Sequence, residues 1–243
     1  MQCFFGQLVM ICEHKYLAIV PARGGSKRLP RKNILPFAGK PLIQWSIEAS
    51  LQCDFISKTV VSSDCPEILA ISNLPGVDLH EREETLASDK SSSADVVLNV
   101  LKTYRDFSHI VLLQPTSPLR CSADISNAIN CFERSQPLNS LISVCVSGHD
   151  PVLINSLKKN GNMKNFAIKI QENATSNNSK NYYRINGAIY ILSIETFMKE
   201  KKFLDEETKA FLMEREKSVD IDCKIDFEIA EFLKLKTVNQ QYC

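Results

Sequence analysis

Hydrophobic and polar positions along the chain form two kinds of segment that alternate from residue 16 onward. Continuous apolar runs predict strands, and the segments between them repeat apolar residues at helical spacing. The predicted strands are 16–22, 58–63, 109–118, 140–147 and 186–193, and the predicted helices are 41–53, 65–72, 92–105, 123–135 and 194–200. The last stretch, 218–234, predicts a strand end that runs into a closing helix. This alternation predicts an α/β fold, a doubly wound and mainly parallel sheet with helices on both faces.

Two parts of the chain do not follow this alternation. Residues 148–185 contain polar runs around a short apolar alternation at 166–170, and we interpret them as an inserted arm of hairpin strands and loops. Residues 1–15 lack the basic start of a signal peptide, so we interpret them as an N-terminal extension that is disordered or adds a strand, with Met10 as an alternative start. Residues 16–243 are then expected to form one domain that carries the inserted arm.

The composition limits the classes of partner. Of the 243 residues, 44% are hydrophobic, which supports a full core, and the net charge of +1 favours neither nucleic acid nor a membrane as a partner. No apolar run approaches the roughly 18 residues of a membrane span. The nine cysteines are an odd number without a C-x-x-C pair, so we expect free thiols in a reducing cytoplasm rather than a disulfide or metal framework.

A basic loop, residues 21–33, follows the first predicted strand. Its positively charged residues are Arg23, Lys27, Arg28, Arg31 and Lys32. Ligands of parallel sheets bind beyond the carboxyl ends of the strands, so this loop is expected to bind phosphate, with Gly24 and Gly25 turning backbone N–H groups toward the anion. The loop lacks the P-loop and dinucleotide-binding motifs, and a solvated loop or a nucleic-acid patch is the alternative.

Two aspartates near the C-terminus, Asp220 and Asp222, are candidates for a metal site. On a strand, residues i and i+2 project to the same side, and two neighbouring carboxylates repel each other unless a cation lies between them. Oxygen ligands of this kind suit Mg²⁺ or Mn²⁺, which also accept phosphate oxygens and water. Asp226 is expected just before the closing helix and is interpreted as an N-cap or turn aspartate.

Two further polar stretches follow predicted strands. In residues 112–120, Gln114 and Ser117 are candidates to contact a base or a sugar, although Pro-Thr-Ser-Pro is also a turn signal. In residues 82–93, Arg82 precedes a serine-rich helix start, whose serines either cap the helix or receive polar atoms of a ligand. None of these stretches identifies a function by itself.

In combination, these stretches resemble one enzyme family. The chain resembles the CMP-sialic acid synthetases (acylneuraminate cytidylyltransferases) from about residue 16 to residue 235, through the ordered motifs IVPARGGSKRLPRKN, LASDKSSS, LLQPTSPLR, RINGAIYI and DIDCKIDFEIAE. The related CMP-Kdo synthetases share the start of the first motif but continue with Lys-Pro, whereas this chain has Lys32-Asn33. The resemblance implies a Rossmann-like nucleotidyltransferase fold in which residues 148–185 form a dimerisation arm.

The resemblance also implies a reaction. CTP and a keto-acid sugar would react so that CMP passes to the anomeric hydroxyl of a nonulosonic acid, with N-acetylneuraminate as the expected acceptor and pyrophosphate as the second product. The family implies an Mg²⁺ (or Mn²⁺) cofactor and a cytoplasmic homodimer. The alternatives are another acceptor, namely legionaminate, pseudaminate, Kdo or a sugar phosphate, and a catalytically silent nucleotide-binding homologue.

Roles of individual residues follow from the same resemblance. The residues expected to carry catalysis are Arg23, Lys32, Asp220 and Asp222, the last two as metal ligands. The residues expected to bind the nucleotide are Ala22, Arg23, Ser26, Lys32, Asn33, Arg82 and Ser93. The residues expected to contact the sugar are Gln114, Arg184, Asn186, Tyr190 and Phe203, with Phe203 reaching the pocket of a second subunit. Arg31 is expected to face solvent.

The chain departs from the family pattern at the sugar end. Leu153 replaces a lysine that family members often carry, and Ser176 or a neighbour replaces an arginine. The nucleotide end is intact, so the identity of the sugar is the open question. No histidine lies in the matched motifs, and a metal-bound hydroxyl or the sugar's own carboxylate is the candidate general base.

Overall fold

The structure is a computed structural model that describes residues 14–83, 92–167 and 181–240, apart from the side chains of 238–240. Its strands are β1 Tyr16–Pro21, β2 Pro36–Phe37, β3 Lys40–Pro41, β4 Ile56–Ser63, β5 Val77–Glu81, β6 His109–Leu112, β7 Ser140–Val146, β8 Tyr183–Ser193 and β9 Lys209–Leu212. Its helices are α1 Leu42–Leu51, α2 Pro66–Ser72, α3 Ser93–Leu101, α4 Ser122–Glu133, α5 Ile194–Glu200 and α6 Lys224–Gln240. Short 3-10 turns cover Lys32–Ile34, Pro151–Leu153 and Arg215–Lys217.

Seven strands form one sheet in the order β5-β4-β1-β6-β8-β7-β9. β1 pairs in parallel with β4 and β6, β4 with β5, and β7 with β9. β8 runs antiparallel to both of its neighbours, β6 and β7. The sheet is therefore parallel except for β8, in agreement with the predicted α/β fold, and β2 and β3 form a separate antiparallel hairpin.

The apolar pattern did not predict β5 and β9, which are the two edge strands of the sheet. An edge strand has a neighbour on one side only, and the side chains of both strands are partly or fully exposed. Neither strand therefore carries the continuous apolar run that marks a strand buried on both faces. The sequence pattern found the interior of the sheet and missed its borders.

Alternating side chains of β1 bury the two faces of the sheet. On one face, Ala18 and Val20 belong to a cluster that includes buried residues of α1, α2 and α4. On the other face, Leu17 and Ile19 belong to a cluster with buried residues of α3 and α5. Each fully buried aliphatic side chain of this size contributes about 1.5–3 kcal/mol. The helices thus cover both faces, as the continuous apolar strands predict.

A third apolar cluster joins the β2–β3 hairpin, α1 and α6. Its buried members are Phe37, Leu42, Leu119, Ile221 and Ala230. Trp45 packs against this cluster, and its Nε1 donates a hydrogen bond to the carbonyl of Phe37 at 2.9 Å. The Nζ atoms of Lys40 and Lys234 lie 3.5 Å and 3.9 Å from the centre of the Trp45 ring, within the range of cation–π attraction.

The prediction that a strand ends around Asp220 and Asp222 is wrong. Residues 218–222, the aspartate loop, connect the 3-10 turn at Arg215–Lys217 to α6 without strand pairing. The N–H of Ile221 donates to the carbonyl of Thr116 at 2.9 Å, and the Ile221 side chain is buried in the third cluster. The two aspartates nevertheless share a side, as predicted, because both line the same cleft.

The arm predicted at 148–185 is described only in part. Phe166 and Ala167 lie in a helical turn rather than in the predicted short strand, because their N–H groups donate to the carbonyl of Met163 at 3.0 Å and 3.2 Å. Ser176, with the rest of 168–180, and the first thirteen residues of the N-terminal extension lie outside the described residues. Within the described ranges, no helix combines the length and the apolar character needed to cross a membrane.

Candidate active site

A cleft of about 410 Å³ opens beyond the carboxyl ends of β1 and β6. The basic loop, the start of α3, the turn after β6 and the aspartate loop line it. The predicted site residues among its lining are Arg23, Ser26, Lys32, Asn33, Arg82, Ser93, Gln114, Asp220 and Asp222. Residues that are distant in sequence therefore meet at one edge of the sheet, where parallel sheets place their ligands.

Hydrogen bonds on two sides fix the basic loop. The Nδ2 of Asn33 donates to the carbonyl of Arg23 at 3.0 Å and ties the end of the loop to its beginning. The N–H of Gly24 donates to Oδ1 of Asp64 at 3.1 Å. The N–H of Gly24 therefore faces the Asp64 carboxylate in this structure, and its contact with a phosphate stays a prediction. Gly25 lines the cleft.

Arg31 marks the point at which the basic loop turns inward. Its backbone is left-handed, with φ at 56°, and the 3-10 turn Lys32–Ile34 follows. The Arg31 side chain is 63% exposed and pairs with Glu67, which confirms the prediction that it faces solvent. The turn buries the next two residues, Lys32 and Asn33, at the wall of the cleft.

Lys32 directs an ammonium group at the aspartate loop. Only 9% of the residue is exposed, its Nζ donates to the carbonyl of Ile221, and the same atom lies 3.9 Å from Oδ1 of Asp222. Burial lowers the pKa of Lys32, and the charges of Asp222 and Asp220 oppose this shift. A partly desolvated cation exerts a stronger field on a bound anion than a solvated one.

The two carboxylates of the aspartate loop form a candidate metal centre. Burial raises the pKa of Asp220, and the charge of Asp222 adds to the shift, whereas a hydrogen bond with Thr116 opposes it. Arg28 lies 3.0 Å from Asp222, with both side chains substantially exposed. The described ranges contain no group of three or more acidic, His or Cys side chains suited to a metal. Two carboxylates at a cleft wall fit a hard cation that completes its shell with phosphate oxygens and water.

Asp226 lies in the first turn of α6 rather than just before the helix as predicted, but its carboxylate does cap the start of the helix. Its Oδ2 accepts hydrogen bonds from the N–H groups of Asp222, at 3.1 Å, and of Cys223, at 2.9 Å. These bonds satisfy N–H groups at the start of the helix that have no partner within it. They also fix the backbone of Asp222, so the helix cap contributes to the order of the site.

Arg82 lines the same cleft as the aspartate loop, although the two are far apart in sequence. Its Nη2 donates to the carbonyl of Ser62 at 2.7 Å, and burial lowers its pKa while the charge of Asp64 opposes this shift. Ala22, another predicted nucleotide contact, has a buried side chain, and its N–H donates to the same carbonyl at 2.9 Å. Ala22 is 1% exposed and does not line the cleft, so its contact with a nucleotide stays a prediction.

Ser92 and Ser93 both line the cleft. Ser92 is the N-cap of α3, because its Oγ accepts from the N–H of Asp95 at 3.2 Å and its own N–H donates to Oδ2 of Asp95 at 2.9 Å. Ser93 is the first residue of the helix. The capping interpretation of the serine run thus applies to Ser92, and Ser93 is the serine that was predicted to bind the nucleotide.

The predicted sugar contacts do not all reach one cavity. Gln114 lines the cleft, whereas Arg184 lines an adjoining groove of about 560 Å³. Asp220 lines both cavities, so they meet at the aspartate loop. The Nη2 of Arg184 donates to the carbonyl of Ser218 at 2.6 Å, which holds the arginine against this loop.

Asn186 has a supporting role in the structure rather than the predicted direct contact with a sugar. It is 1% exposed, its Oδ1 accepts from the hydroxyl of Ser143 at 2.6 Å, and its Nδ2 donates to the hydroxyl of Ser218 at 2.9 Å. A buried amide whose donor and acceptor are both satisfied has no polar atom left for a ligand. Asn186 instead joins β7 and β8 to the start of the aspartate loop.

Tyr190 and Phe203 pack against each other within one chain, with ring centroids 5.7 Å apart. Burial raises the pKa of Tyr190, and the charge of Asp220 adds to the shift, so the phenol is close to the aspartate loop. Neither aromatic residue lines the cleft. Their contacts with a sugar, and the action of Phe203 on a second subunit, stay predictions.

Sequence reasoning missed two residues in the turn after β6. Thr116 lines the cleft and is hydrogen bonded to Asp220. Arg120 is fully buried, and its Nη1 donates to the carbonyls of Gln114, at 3.3 Å, and of Ala188, at 2.8 Å. A polar residue after a buried strand was a usable signal for Thr116. No signal marked Arg120, because arginine is rarely buried.

Known proteins are similar in sequence to this chain. A family model described as cytidylyltransferase matches residues 17–241. The N-acylneuraminate cytidylyltransferase of Escherichia coli O18:K1:H7 is 35% identical over 227 residues, which cover 93% of this chain and 54% of that protein. The CMP-N,N'-diacetyllegionaminic acid synthase of Legionella pneumophila is 34% identical over 233 residues, which cover 93% of this chain and 98% of that protein. The chain thus spans about half the length of the first relative and nearly all of the second.

A solved structure shares the fold. The CMP:2-keto-3-deoxy-manno-octonic acid synthetase complexed with CTP has a TM-score of 0.71 and 16% identity, over 92% of this chain and 99% of that chain. At this identity the likeness concerns the fold alone, and it confirms the predicted nucleotidyltransferase fold. The resemblance stated from the sequence motifs is confirmed by the family match over nearly the whole chain and by the two relatives. The chain belongs to the cytidylyltransferase family.

Proposed function

We propose that this chain transfers CMP from CTP to the anomeric hydroxyl of a nonulosonic acid and releases pyrophosphate. The observation that carries the proposal is a cleft in which a buried lysine, a loop arginine and two carboxylates meet at the carboxyl edge of the sheet. Similarity to the E. coli N-acylneuraminate cytidylyltransferase supports an N-acylneuraminate as the acceptor, and N-acetylneuraminate is the one proposed. The Legionella relative matches over nearly its whole length, and its name favours a legionaminate as the second candidate.

The residues of the cleft suit displacement at a phosphate. The anomeric hydroxyl passes its proton to a general base, for which the sugar's own carboxylate is a candidate, and its oxygen forms a bond to the α-phosphorus. The bond from that phosphorus to the bridging oxygen breaks, and pyrophosphate leaves with the electron pair. Such a reaction needs alignment and charge neutralisation more than covalent help from the protein. Arg23, Ser26 and Lys32 would hold the triphosphate, and Lys32 would offset the charge that develops on pyrophosphate.

Mg²⁺ or Mn²⁺ is the proposed cofactor, with Asp220 and Asp222 as its protein ligands. Their two carboxylates lie at the wall of the cleft, and burial and mutual repulsion already disfavour two bare charges there. When bound, the cation neutralises phosphate charge and helps to orient the phosphate groups. Arg28 would release Asp222 readily, because both partners are substantially exposed and such pairs are weak.

A pyrophosphate-release assay tests the proposed function. CTP and Mg²⁺ are incubated with N-acetylneuraminate, legionaminate, pseudaminate, Kdo or no sugar, and pyrophosphate is measured. We expect pyrophosphate to be released only when a nonulosonate is present. The rate of release with each sugar ranks the sugars as acceptors. CTP binding in calorimetry without release for any sugar would instead identify a silent nucleotide-binding homologue.

The two serines at the start of α3 provide a paired test of nucleotide binding. Ser93→Ala is expected to raise the KM for CTP by about threefold to tenfold, because it removes one hydrogen bond at the ligand. Ser92→Ala removes the helix cap, which costs about 1 kcal/mol. For a chain of this size that loss corresponds to a fall in Tm of about 2–4 °C. Steady-state kinetics and thermal melts of both variants check the pair, and a CTP defect in Ser92→Ala alone would reverse the assignment.

The adjoining groove is the proposed place for the body of the acceptor. Arg184 and Arg215 line it, and it meets the nucleotide cleft at Asp220. The Arg215 guanidinium lies directly over Gly148, where any side chain would collide with it. Three carboxylates, Glu216, Asp220 and Asp226, line the groove as well, so its net charge does not favour an acidic sugar. The two guanidinium groups are the candidate donors to the sugar's carboxylate, in a chain that lacks the family lysine at Leu153.

Arg215→Met is expected to raise the KM for the sugar by about tenfold, because it removes a cation from the proposed acceptor groove. The KM for CTP should stay within about twofold, since Arg215 does not line the nucleotide cleft. Arg105→Met, at an exposed arginine after α3, is the matched control. Initial rates with each substrate varied in turn check the expectation, and an unchanged sugar KM would remove Arg215 from the acceptor site.

A cytoplasmic homodimer is the proposed state of the chain. Val146 and Tyr183 pair across β7 and β8 with exposed side chains, and Ile185 and Leu212 expose further apolar surface nearby in the sheet. The cysteines in the described ranges are free, which suits a reducing compartment. Light scattering is expected to give a dimer that Tyr183→Asp combined with Ile185→Asp converts to a monomer. An active monomer of the unaltered chain would refute the proposal.

A further inference from the structure

Asp64 lies beside the nucleotide cleft but does not line it. It is the first residue after β4, and its Oδ1 accepts the hydrogen bond from the N–H of Gly24 at 3.1 Å. A carboxylate near a triphosphate repels that ligand, so direct contact with the phosphates is unfavourable. Asp64 instead acts on two neighbouring parts of the site, the basic loop at Gly24 and the buried Arg82.

The first of its effects is on the course of the basic loop. A Cβ on Gly24 would lie 2.9 Å from the Cβ of Cys65 and 3.7 Å from Oδ2 of Asp64, so the loop backbone rests directly on the end of β4. Only glycine permits so close an approach. Gly25 and Ser26 follow at once and line the cleft. The position of Gly24 therefore sets the position of groups proposed to bind phosphate.

Its second effect is on the positive charges of the nucleotide end. Arg82 is buried and held by the carbonyl of Ser62. The charge of Asp64 favours the ionised form of Arg82, against the effect of burial, whereas the charge of Arg23 disfavours it. A buried cation close to a second cation is unfavourable unless an anion lies near. Asp64 supplies that anion before any nucleotide is present.

We propose that Asp64 is a positioning residue for the nucleotide: it anchors the basic loop through Gly24 and allows Arg23 and Arg82 to stand at one edge of the sheet. The proposal rests on the proposed function only in naming CTP as the ligand. Asp64 acts before binding, so its removal should affect CTP affinity and leave sugar recognition unchanged.

Calorimetric titration with CTP and Mg²⁺, without acceptor, tests this role in the full chain. Asp64→Ala is expected to weaken CTP binding by about tenfold, although it removes a negative charge near the triphosphate. Asp64→Asn keeps an acceptor oxygen for Gly24 but removes the negative charge near Arg82, so its loss of CTP affinity is expected to be intermediate, about threefold. Asp78→Ala, on the neighbouring strand β5, is the matched control, because Asp78 pairs with Lys58 away from the cleft.

Two results would overturn the proposal. One is an Asp64→Ala variant that binds CTP as tightly as the unaltered chain, or more tightly. The other is an Asp64→Asn variant that loses as much CTP affinity as Asp64→Ala. If Asp64→Ala does not fold, Gly24→Ala replaces it, since its Cβ would push the loop off Cys65 and should weaken CTP binding likewise. Titration separates this proposal from the proposed function, because a chain that binds CTP without releasing pyrophosphate fails only the latter.

Discussion

Asp222→Asn is expected to lower kcat by about 10³-fold while CTP binding falls by only a few fold. The substitution keeps the size of the side chain and removes one of the two charges proposed to hold the cation. It also removes the anion that lies 3.9 Å from Nζ of Lys32 and 3.0 Å from Arg28, so the cleft becomes more positive. The added positive charge is the reason that CTP binding should largely survive.

Pyrophosphate release at several Mg²⁺ concentrations, together with calorimetry for CTP, measures both parts of this prediction. The concentration of Mg²⁺ that gives half-maximal rate should rise if any activity is left. Asp78→Asn is the control, since it makes the same chemical change on β5 away from the cleft. Turnover equal to that of the unaltered chain would exclude Asp222 from the metal site.

Lys32→Met is expected to reduce kcat by about 10²–10³-fold, because it removes the cation that would offset charge on the departing pyrophosphate. The methionine side chain fills similar space in the wall of the cleft, so the fold should tolerate the change. The carbonyl of Ile221 loses the hydrogen bond from Nζ, which is a smaller effect on the aspartate loop. Single-turnover rates at saturating CTP isolate the chemical step from binding.

Arg31→Gln is the control for Lys32→Met. Arg31 precedes Lys32 directly, carries the same charge and is exposed in a pair with Glu67. A general loss of positive charge from the basic loop would slow both variants alike. Equal single-turnover rates for the two variants would contradict a specific role for Lys32.

The sequence pattern predicted the interior of the fold because burial leaves a clear mark there. β1 is a continuous apolar run, and the helices between strands repeat apolar residues toward the sheet. β4 is apolar only at Ile56, Val60 and Val61, although its last five residues are all buried. The pattern did not predict β5 and β9, because a strand at the edge of a sheet does not need a continuous apolar run. The aspartate loop was taken for a strand because Val219 and Ile221 alternate with acidic residues. That alternation reflects burial of Ile221 against α6 and the β2–β3 hairpin rather than pairing in the sheet.

The candidate site was predictable where its residues follow predicted strands, and less so where tertiary contacts decide their role. Lys32 could be placed at the carboxyl edge because the basic loop follows β1, whereas Asp220 and Asp222 were assigned to the same site through the family resemblance. The hydrogen bond between Gly24 and Asp64 joins residues 40 positions apart, and nothing in either stretch announces it. Asn186 has the chemistry of a ligand contact, but its neighbours Ser143 and Ser218 use both ends of its amide.

Trp45 is the only tryptophan of the chain, and its ring packs against the cluster that contains Ile221. Ile221 lies between the two aspartates proposed to hold the cation. A shift of the aspartate loop would therefore change the packing of the cluster against which Trp45 lies. The ammonium groups of Lys40 and Lys234 near the ring make its emission sensitive to small displacements. We therefore expect the fluorescence of Trp45 to change when a cation or a nucleotide binds, and this signal is measurable in variants that no longer turn over.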